Sequence, residues 1–202
     1  HGLYHPVDYA VCSVCGLISQ IPPPAREHIP GFYPADYRNY QPRRPSLFSF
    51  LRTARVRLLA RRLDRFVRPH ERILEIGVGA GTLMRELKRR GFSRLAGCDF
   101  SSHACDALRQ TGIKVVQANI EENFPFADTF DAIIFDNVIE HLRDPLGALT
   151  TSARHLASGG RIILTMPNAR AWDAKIFGRY WAGLKAPRHI HIFAPESIAR
   201  GA

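Results

Sequence analysis

The chain has 202 residues, of which 46% are hydrophobic and 23% are charged, which is enough for one globular domain with a buried core. No apolar run approaches the ~20 residues of a membrane-spanning helix, and no charged segment followed by an apolar one marks a signal peptide. The formal net charge is +10, from 28 Lys and Arg against 18 Asp and Glu.

The N-terminal segment, residues 1–45, is rich in proline and tyrosine and shows no periodicity, so we expect a small irregular unit and a linker. It contains Cys12 and Cys15 in a C-x-x-C-G sequence, the knuckle of many zinc sites. A structural zinc ion needs four ligands, and Cys98 and Cys105 fall in the predicted core, so the sequence predicts an incomplete zinc site. Four cysteines without a signal peptide also favour a reducing cytoplasm over a disulfide framework.

A basic helix is predicted next, with ten arginines between Arg43 and Arg72. Ser46 suits its N-cap and Pro69 its end, and its apolar residues follow helical spacing: Leu47, Leu51, Ala54, Leu58, Leu59, Leu63, Phe66 and Val67. The charge indicates either a polyanion-binding patch or a solvated helix face. The solvated face is favoured because no nucleic-acid-binding motif accompanies the arginines, so neither nucleic acid nor a membrane is an expected partner.

From residue 72 onwards the pattern alternates between short apolar strands and amphipathic helices. The predicted strands are RILEIG, RLAGCDF, KVVQANI, FDAIIFDNVI and RIILTMPN, and the predicted helices between them are TLMRELKRRG, SSHACDALRQTG and DPLGALTTSARHLASGG. After residue 169 the chain is less regular, and APESIARGA looks like the start of a further helix. The alternation predicts an α/β fold, a mostly parallel Rossmann-like sheet with helices on both faces.

A glycine bend ends the first strand of this series, with Gly77, Gly79 and Gly81 at alternate positions behind Glu75. Ligands of open parallel sheets bind beyond the carboxyl ends of the strands, where glycines let the backbone approach them closely. The dinucleotide fingerprint G-x-G-x-x-G would place its third glycine at position 82, which is a threonine. Asp99, at the end of the second strand, is placed to accept hydrogen bonds from ribose hydroxyls.

These segments together resemble the class I S-adenosylmethionine-dependent methyltransferases, of the Methyltransf_23-like subgroup. The resemblance covers residues 46–198 and rests on EIGVGAG, GCDFS, ANIEENFPF, FDAIIFDNVIEHL and LASGGRIIL in that order. It implies a small N-terminal segment over residues 1–45 and a cofactor-binding methyltransferase domain over residues 46–202. The family's sheet normally has seven strands, and the sequence stops near the helix before the last two, so we expect those strands to be missing from this chain.

The resemblance also implies the cofactor contacts. The three glycines would pass under the methionine part, Glu75 would fix that loop or bind the methionine amino group, and Asp99 would hold the ribose hydroxyls. Phe100 would pack beside the adenine, with Asn119 and Ile120 near its amino group. Asn119 stands where the family usually has an acid, and its carbonyl oxygen can still accept a hydrogen bond. Asn137 and Val138 would line the pocket near the sulfonium.

Residues on the acceptor side are less explicit. His141, in the Glu140-His141 pair, is the first candidate for a substrate contact or a general base, against a structural role in capping the turn. The segment from Trp172 to Phe193 resembles a subgroup associated with sugar, polysaccharide or secondary-metabolite modification, and Arg188 or His189 would face the substrate there. The competing interpretation is that His189 merely caps the domain edge.

Some members of this subgroup begin with a zinc-binding module that has two cysteine pairs, and this chain has only the second pair. The predicted function is S-adenosylmethionine-dependent O- or N-methylation of a small-molecule or carbohydrate-like acceptor. Two alternatives are a cofactor-binding protein of the same fold without activity and an NAD-dependent oxidoreductase.

Overall fold

The computed structural model describes residues 7–34 and 47–201. Its elements are β1 (Asp8–Val11), β2 (Ile18–Ile21), α1 (Leu47–Leu63), β3 (Arg72–Ile76), α2 (Thr82–Arg89), β4 (Arg94–Asp99), α3 (Ser102–Arg109), β5 (Lys114–Gln117), β6 (Phe130–Asp136), α4 (Pro145–Ala153), β7 (Leu156–Thr165), α5 (Trp172–Phe177), β8 (His191–Ile192) and α6 (Pro195–Gly201). Short 3-10 turns cover Arg26–Phe32, Ile139–His141 and Gly178–Tyr180.

The described residues divide into two compact units. One unit contains residues 47–136 and Gly147–Ile163; the other contains residues 7–34, Asn137–Leu146 and 164–201. We call them the sheet unit and the hairpin unit. None of the helices in the described ranges is long and apolar enough to cross a bilayer.

The sheet unit is built on a five-stranded sheet in the order β5-β4-β3-β6-β7. The strand β3 lies at the centre, pairs with β4 and β6 in parallel, and β4 pairs with β5 in parallel. Chain order reverses direction between β3 and β6, which makes the carboxyl ends of these strands the topological switch point. The predicted Rossmann-like fold class is confirmed.

The central strands are continuous apolar runs because helices cover both faces of the sheet. In β3, Ile73 and Leu74 have no exposed surface, and neither have the four residues from Ala132 to Phe135 in β6. Helix α2 contributes Leu83, Met84 and Leu87 to the same core. Burial of each such side chain contributes about 1.5–3 kcal/mol, so this core is the main source of the unit's stability.

Two details of the predicted helices are wrong. Among the α1 residues whose burial is described, Val56, Ala60 and Leu63 are buried; of these only Leu63 belongs to the predicted face, and the predicted face residues Leu51 and Leu58 are about half exposed at 54% and 49%. The predicted N-cap, Ser46, lies outside the described residues, and the α-helix ends at Leu63, before Pro69.

The helix predicted to run to Gly159-Gly160 ends at Ala153, and β7 starts at Leu156. A Cβ on Gly160 would lie 3.0 Å from the carbonyl oxygen of Phe130. Its glycine therefore permits a close approach of two backbones and does not stop a helix.

The hairpin unit contains a second sheet, antiparallel, in the order β1-β2-β8. The strands β1 and β2 show no periodicity in the sequence, because each has only four residues. Cys12 and Cys15 lie in the turn between them, where Gly16 at φ +73° donates its N–H to the Cys12 carbonyl. All four cysteines are described, and none is in a disulfide.

Candidate active site

The glycine bend of the sheet unit folds back over the end of β4. The N–H groups of Gly77 and Val78 donate to the Cys98 carbonyl at 2.8 and 3.2 Å, and the N–H of Gly81 donates to the Val78 carbonyl at 2.7 Å. Gly77, Gly79 and Gly81 have φ values of +71°, +49° and +65°, a region that residues with a Cβ rarely adopt. The alternate glycines of the sequence therefore form one tight left-handed bend.

Two of these glycines have different surroundings. A Cβ on Gly81 would lie 2.6 Å from a methyl carbon of the buried Leu108, whereas a Cβ on Gly79 would meet nothing within 4 Å. Gly81 is thus required by packing between the bend and α3. Gly79 borders open space that a ligand can enter, which fits a cradle for a small molecule.

Asp99, the last residue of β4, is fixed by the bend. Its Oδ2 accepts the N–H of Gly79 at 2.9 Å, and its Oδ1 accepts the N–H of Ser101 at 2.9 Å. Burial raises the pKa of Asp99, and these two hydrogen bonds oppose that shift. Each oxygen retains capacity to accept a further hydrogen bond, so Asp99 suits the predicted contact with ribose hydroxyls.

Glu75, near the end of β3, is only 3% exposed, and its Oε2 has no hydrogen-bond partner. Its pKa is raised well above its usual value, first by burial and then by the nearby carboxylates Asp136 and Asp99. An unsatisfied buried carboxyl oxygen is costly unless it serves a ligand. A ligand ammonium group here would favour the ionised form and satisfy the oxygen.

Asp136, the last residue of β6, forms an ion pair that was not predicted from the sequence. Arg55 of α1 makes a bidentate contact with it, with Nη2 2.9 Å from Oδ2 and 3.3 Å from Oδ1. Asp136 ends a strand as Asp99 does, so the shared position was the available signal. Glu75, Asp99 and Asp136 thus place three carboxyl groups at the carboxyl ends of three neighbouring strands.

The remaining predicted cofactor residues of the sheet unit lie near the ends of β4 and β5. Phe100 is 39% exposed, so its ring remains available for packing against a ligand. Asn119 makes a local turn, with its Oδ1 accepting the N–H of Glu121 and its Nδ2 donating to Glu122. Ile120 is buried. The adenine contacts of these residues stay predictions.

Asn137 and Val138 directly follow Asp136 in the chain and belong to the hairpin unit. Asn137 has φ +57°, and its N–H donates to the Thr165 carbonyl at 2.9 Å. Asparagine is one of the few side chains that tolerate this left-handed conformation. The predicted contacts of Asn137 and Val138 near the sulfonium stay predictions.

The hairpin unit brings the three predicted acceptor-side residues together. The Nδ1 of His141 lies 2.9 Å from the Arg188 carbonyl oxygen, and the rings of His141 and His189 are 4.7 Å apart between centroids. Burial is the main cause that lowers the pKa of His141 to about 4 and that of His189 to about 3. Both rings are therefore neutral at pH 7 and are weak bases.

Two tyrosines contact the segments that carry His141 and His189: Tyr9 of β1 and Tyr33, which follows the 3-10 turn Arg26–Phe32. The sequence did not predict these contacts. The hydroxyl of Tyr9 donates to the His189 carbonyl at 2.9 Å, and the hydroxyl of Tyr33 lies 3.0 Å from Nδ1 of His141. The N–H of Ile190 donates to the Glu140 carbonyl at 2.8 Å. The hairpin thus holds the segment that carries Arg188 and His189 against the Glu140–His141 turn.

Cys12 and Cys15 remain an incomplete metal site. Within residues 7–34 and 47–201, the only group of three His, Cys, Asp or Glu side chains at metal-binding separations is Glu140, His141 and His189. The two other cysteines are buried in the sheet unit, where burial raises the pKa of Cys98 to about 12 and that of Cys105 to about 11. The zinc prediction therefore stays a prediction.

Comparison with known proteins places the chain in a family. Residues 49–201 match the model of the Methyltransferase domain family, and the chain belongs to that family. It shares 25% identity over 130 residues with the ubiquinone biosynthesis O-methyltransferase of Erwinia tasmaniensis, a match that covers 60% of this chain and 53% of that protein. The chain thus spans about half the length of the curated relatives it matches.

Solved structures show the same fold. The SAM-dependent methyltransferase of Thermotoga maritima, a possible histamine N-methyltransferase, superposes with a TM-score of 0.61 at 22% identity, over 86% of this chain and 77% of that one. The magnesium protoporphyrin IX methyltransferase of Synechocystis, with bound SAH, gives 0.65 at 14% identity, over 87% and 84%. At these identities the likeness concerns the fold alone.

Proposed function

We propose that the chain binds S-adenosylmethionine in the cradle of the sheet unit and transfers its methyl group to a small-molecule or carbohydrate-like acceptor. The observation that carries the proposal is the fixed Asp99 carboxylate hydrogen-bonded to Gly79, which borders open space, together with the unsatisfied Glu75 oxygen on the neighbouring strand. Family membership supports the same cofactor class and disfavours the NAD-dependent alternative.

The residues present fit a ligand that combines a ribose and an amino acid. Asp99 has two oxygens, each held by one backbone N–H and each able to accept a hydroxyl hydrogen bond. Glu75 supplies a negative charge for an ammonium group, and the bend lets the backbone approach closely. When bound, S-adenosylmethionine supplies a methyl group already activated on a sulfonium, so the protein's main task is positioning.

His141, Arg188 and His189 are proposed to serve the acceptor. The lowered pKa of His141 makes the ring a poor proton acceptor, so we favour a positioning contact over general-base catalysis. Oxygen and nitrogen acceptors both occur among the proteins named above. We also propose that the chain is cytoplasmic and that Cys12 and Cys15 contribute to a zinc site. The next experiment addresses the identity of the acceptor.

The experiment that tests this function measures S-adenosylhomocysteine release from S-adenosylmethionine. The full chain is incubated with pools of nucleotide sugars, phenols and amines, with an acceptor-free sample as background. We expect at least one pool to raise release above the background. If the cofactor binds and no pool does so, the chain is a cofactor-binding protein without activity on these acceptor classes.

The acceptor-side assignment has its own test. His141→Ala is expected to lower turnover by at least about tenfold, about 1.4 kcal/mol of transition-state stabilisation, with unchanged cofactor affinity. His103→Ala serves as the control because His103 is exposed on α3 of the sheet unit. Equal turnover of the two variants would remove His141 from the acceptor site.

A further inference from the structure

Two imidazoles and one carboxylate converge in the hairpin unit. Glu140 and His141 lie in the turn after β6, and His189 lies just before β8. One ligand atom from each side chain lies within 4.8 Å of the others. Glu140 is 0% exposed and His189 3%, so the cluster is formed inside the unit and not on its surface.

Hydrogen bonds fix which nitrogen of each ring carries the lone pair. The Nδ1 of His141 lies 2.9 Å from the Arg188 carbonyl oxygen, and the Nδ1 of His189 lies 2.6 Å from the Gly183 carbonyl oxygen. A carbonyl oxygen only accepts, so each Nδ1 carries the hydrogen and each Nε2 keeps a lone pair. Metal-ligating histidines are oriented in this way, by donating the second ring N–H to a backbone carbonyl or carboxylate.

The donor set indicates a class of ion. Two imidazoles and one carboxylate suit zinc and the other late divalent transition metals, whereas magnesium and calcium prefer oxygen ligands throughout. Three protein ligands complete a tetrahedral site except for one position, which a water molecule or another ligand can take. This set is separate from Cys12 and Cys15, whose thiols are not part of the cluster.

We propose that Glu140, His141 and His189 form a binding site for a divalent transition-metal ion of the zinc class. Bonds of about 2.0–2.2 Å place tetrahedral ligand atoms about 3.4 Å apart, so the side chains draw together by about 1 Å on binding. Binding of the ion needs neither methyl donor nor acceptor, because its three protein ligands are side chains of the hairpin unit. A metal-bound Nε2 of His141 cannot accept a proton, which agrees with a non-basic role.

The test is made on the full chain with Cys12→Ser and Cys15→Ser, so that the hairpin thiols cannot bind the ion. After removal of metals with a chelator, zinc is titrated by calorimetry and cobalt by visible absorption, without any nucleoside cofactor. We expect one ion per chain and a cobalt spectrum without thiolate charge transfer. Glu140→Gln and His189→Ala should each weaken binding at least about tenfold.

His28→Ala is the matched control, because His28 is an exposed histidine of the same unit, and it should bind zinc as the parent does. Circular dichroism of the metal-free proteins establishes that each variant is folded. If His189→Ala does not fold, Glu140→Gln, which keeps the side-chain shape, decides alone. Absence of zinc binding to the folded parent, or equal affinities of the Glu140→Gln and His28→Ala variants, overturns the site.

Discussion

Glu75 shows at the residue scale how a site can reduce the stability of the unliganded fold. Its carboxyl group is buried, its pKa is raised first by that burial and then by the charges of Asp136 and Asp99, and its Oε2 lacks a hydrogen-bond partner. A residue used only for packing would be apolar at such a position on a central strand. The free energy lost in the empty protein is recovered if a cationic ligand group reaches the carboxylate.

The first prediction concerns the stability that is lost by burying the Glu75 carboxyl group. The pKa of Glu75 is raised in the folded protein, so the folded state binds more protons than the unfolded state between the ordinary value of 4.5 and the raised one. Stability of the parent therefore falls as pH rises through that window. Glu75→Gln does not titrate and should stabilise the protein at pH 8 by at least about 1 kcal/mol, or about 2–4 °C.

Thermal melts of parent and Glu75→Gln at pH 5 and pH 8 check this prediction. The difference in melting temperature should be small at pH 5 and larger at pH 8. Glu121→Gln is the control, as a partly exposed glutamate of the sheet unit. If the difference in melting temperature does not change with pH, the pKa of Glu75 is not raised in the folded protein.

The glycines of the bend give a second prediction. Gly81→Ala should destabilise the protein by about 2–5 kcal/mol, because the new methyl group meets Leu108 and the backbone is left-handed. Gly79→Ala has the same backbone strain without the clash, so it should cost only about 1–2 kcal/mol. Chemical denaturation measures both values, and equal costs would contradict the packing role assigned to Gly81.

Gly79→Ala should nevertheless lower the affinity for S-adenosylmethionine, because its methyl group enters the open face of the cradle. Binding of the folded variant is measured at a temperature well below its melting transition. Unchanged affinity would place the ligand elsewhere in the unit.

At the element scale, the sequence predicted those helices and strands that have a clear apolar pattern and are bounded by glycines. The strands β3 and β4 and helix α2 were predicted within one or two residues, because apolar runs and glycines bound them on both sides. The strand β7 was predicted, but it starts at Leu156 and not at Arg161, because Gly159-Gly160 is typical of a helix end. The close approach of Gly160 to the Phe130 backbone was not visible in the sequence.

In the candidate site, the residues at the strand ends were predictable from the sequence, and the tyrosine contacts were not. Glu75, the glycines and Asp99 are adjacent to strands whose order is fixed, so their meeting follows from topology. By contrast, Tyr9 contacts the His189 carbonyl and Tyr33 contacts the His141 ring, and in each contact the two residues lie more than 100 positions apart in the chain. Neither short strands nor single hydroxyl groups leave a periodic signal, so these contacts required the structure.

The support given by β1 is a third prediction. Tyr9→Phe removes the hydroxyl that donates to the His189 carbonyl, and should lower the free energy of unfolding by about 0.5–1.5 kcal/mol. Tyr180→Phe is the control, because Tyr180 is 77% exposed. Denaturant melts of the two variants are compared with the parent. If the Tyr9→Phe and Tyr180→Phe variants were equally stable, the Tyr9 hydroxyl would not stabilise the segment that carries Arg188 and His189.

On the scale of the whole molecule, the described residues form a sheet unit with the proposed cofactor cradle and a hairpin unit with the cluster of Glu140, His141 and His189. The positive charge is concentrated on α1, where Arg55 pairs with Asp136 and other arginines face solvent. Exposed arginines are expected both of a solvated helix face and of a polyanion-binding patch, so the solvated-face interpretation stays a prediction. Family membership and the cradle support the proposed methyl transfer, and we propose that residues of the hairpin unit contact the acceptor.

The proposed cofactor site is tested by calorimetric binding of S-adenosylmethionine, S-adenosylhomocysteine and NAD to the full chain. We expect binding of the first two and not of NAD, and a loss of about 1.5–3 kcal/mol, roughly 10- to 150-fold, for Asp99→Ala. Asp106→Ala, at an exposed aspartate of α3, should bind as the parent does. Absence of S-adenosylmethionine binding to the folded chain, or equal affinities of the two variants, would contradict the proposed cofactor site.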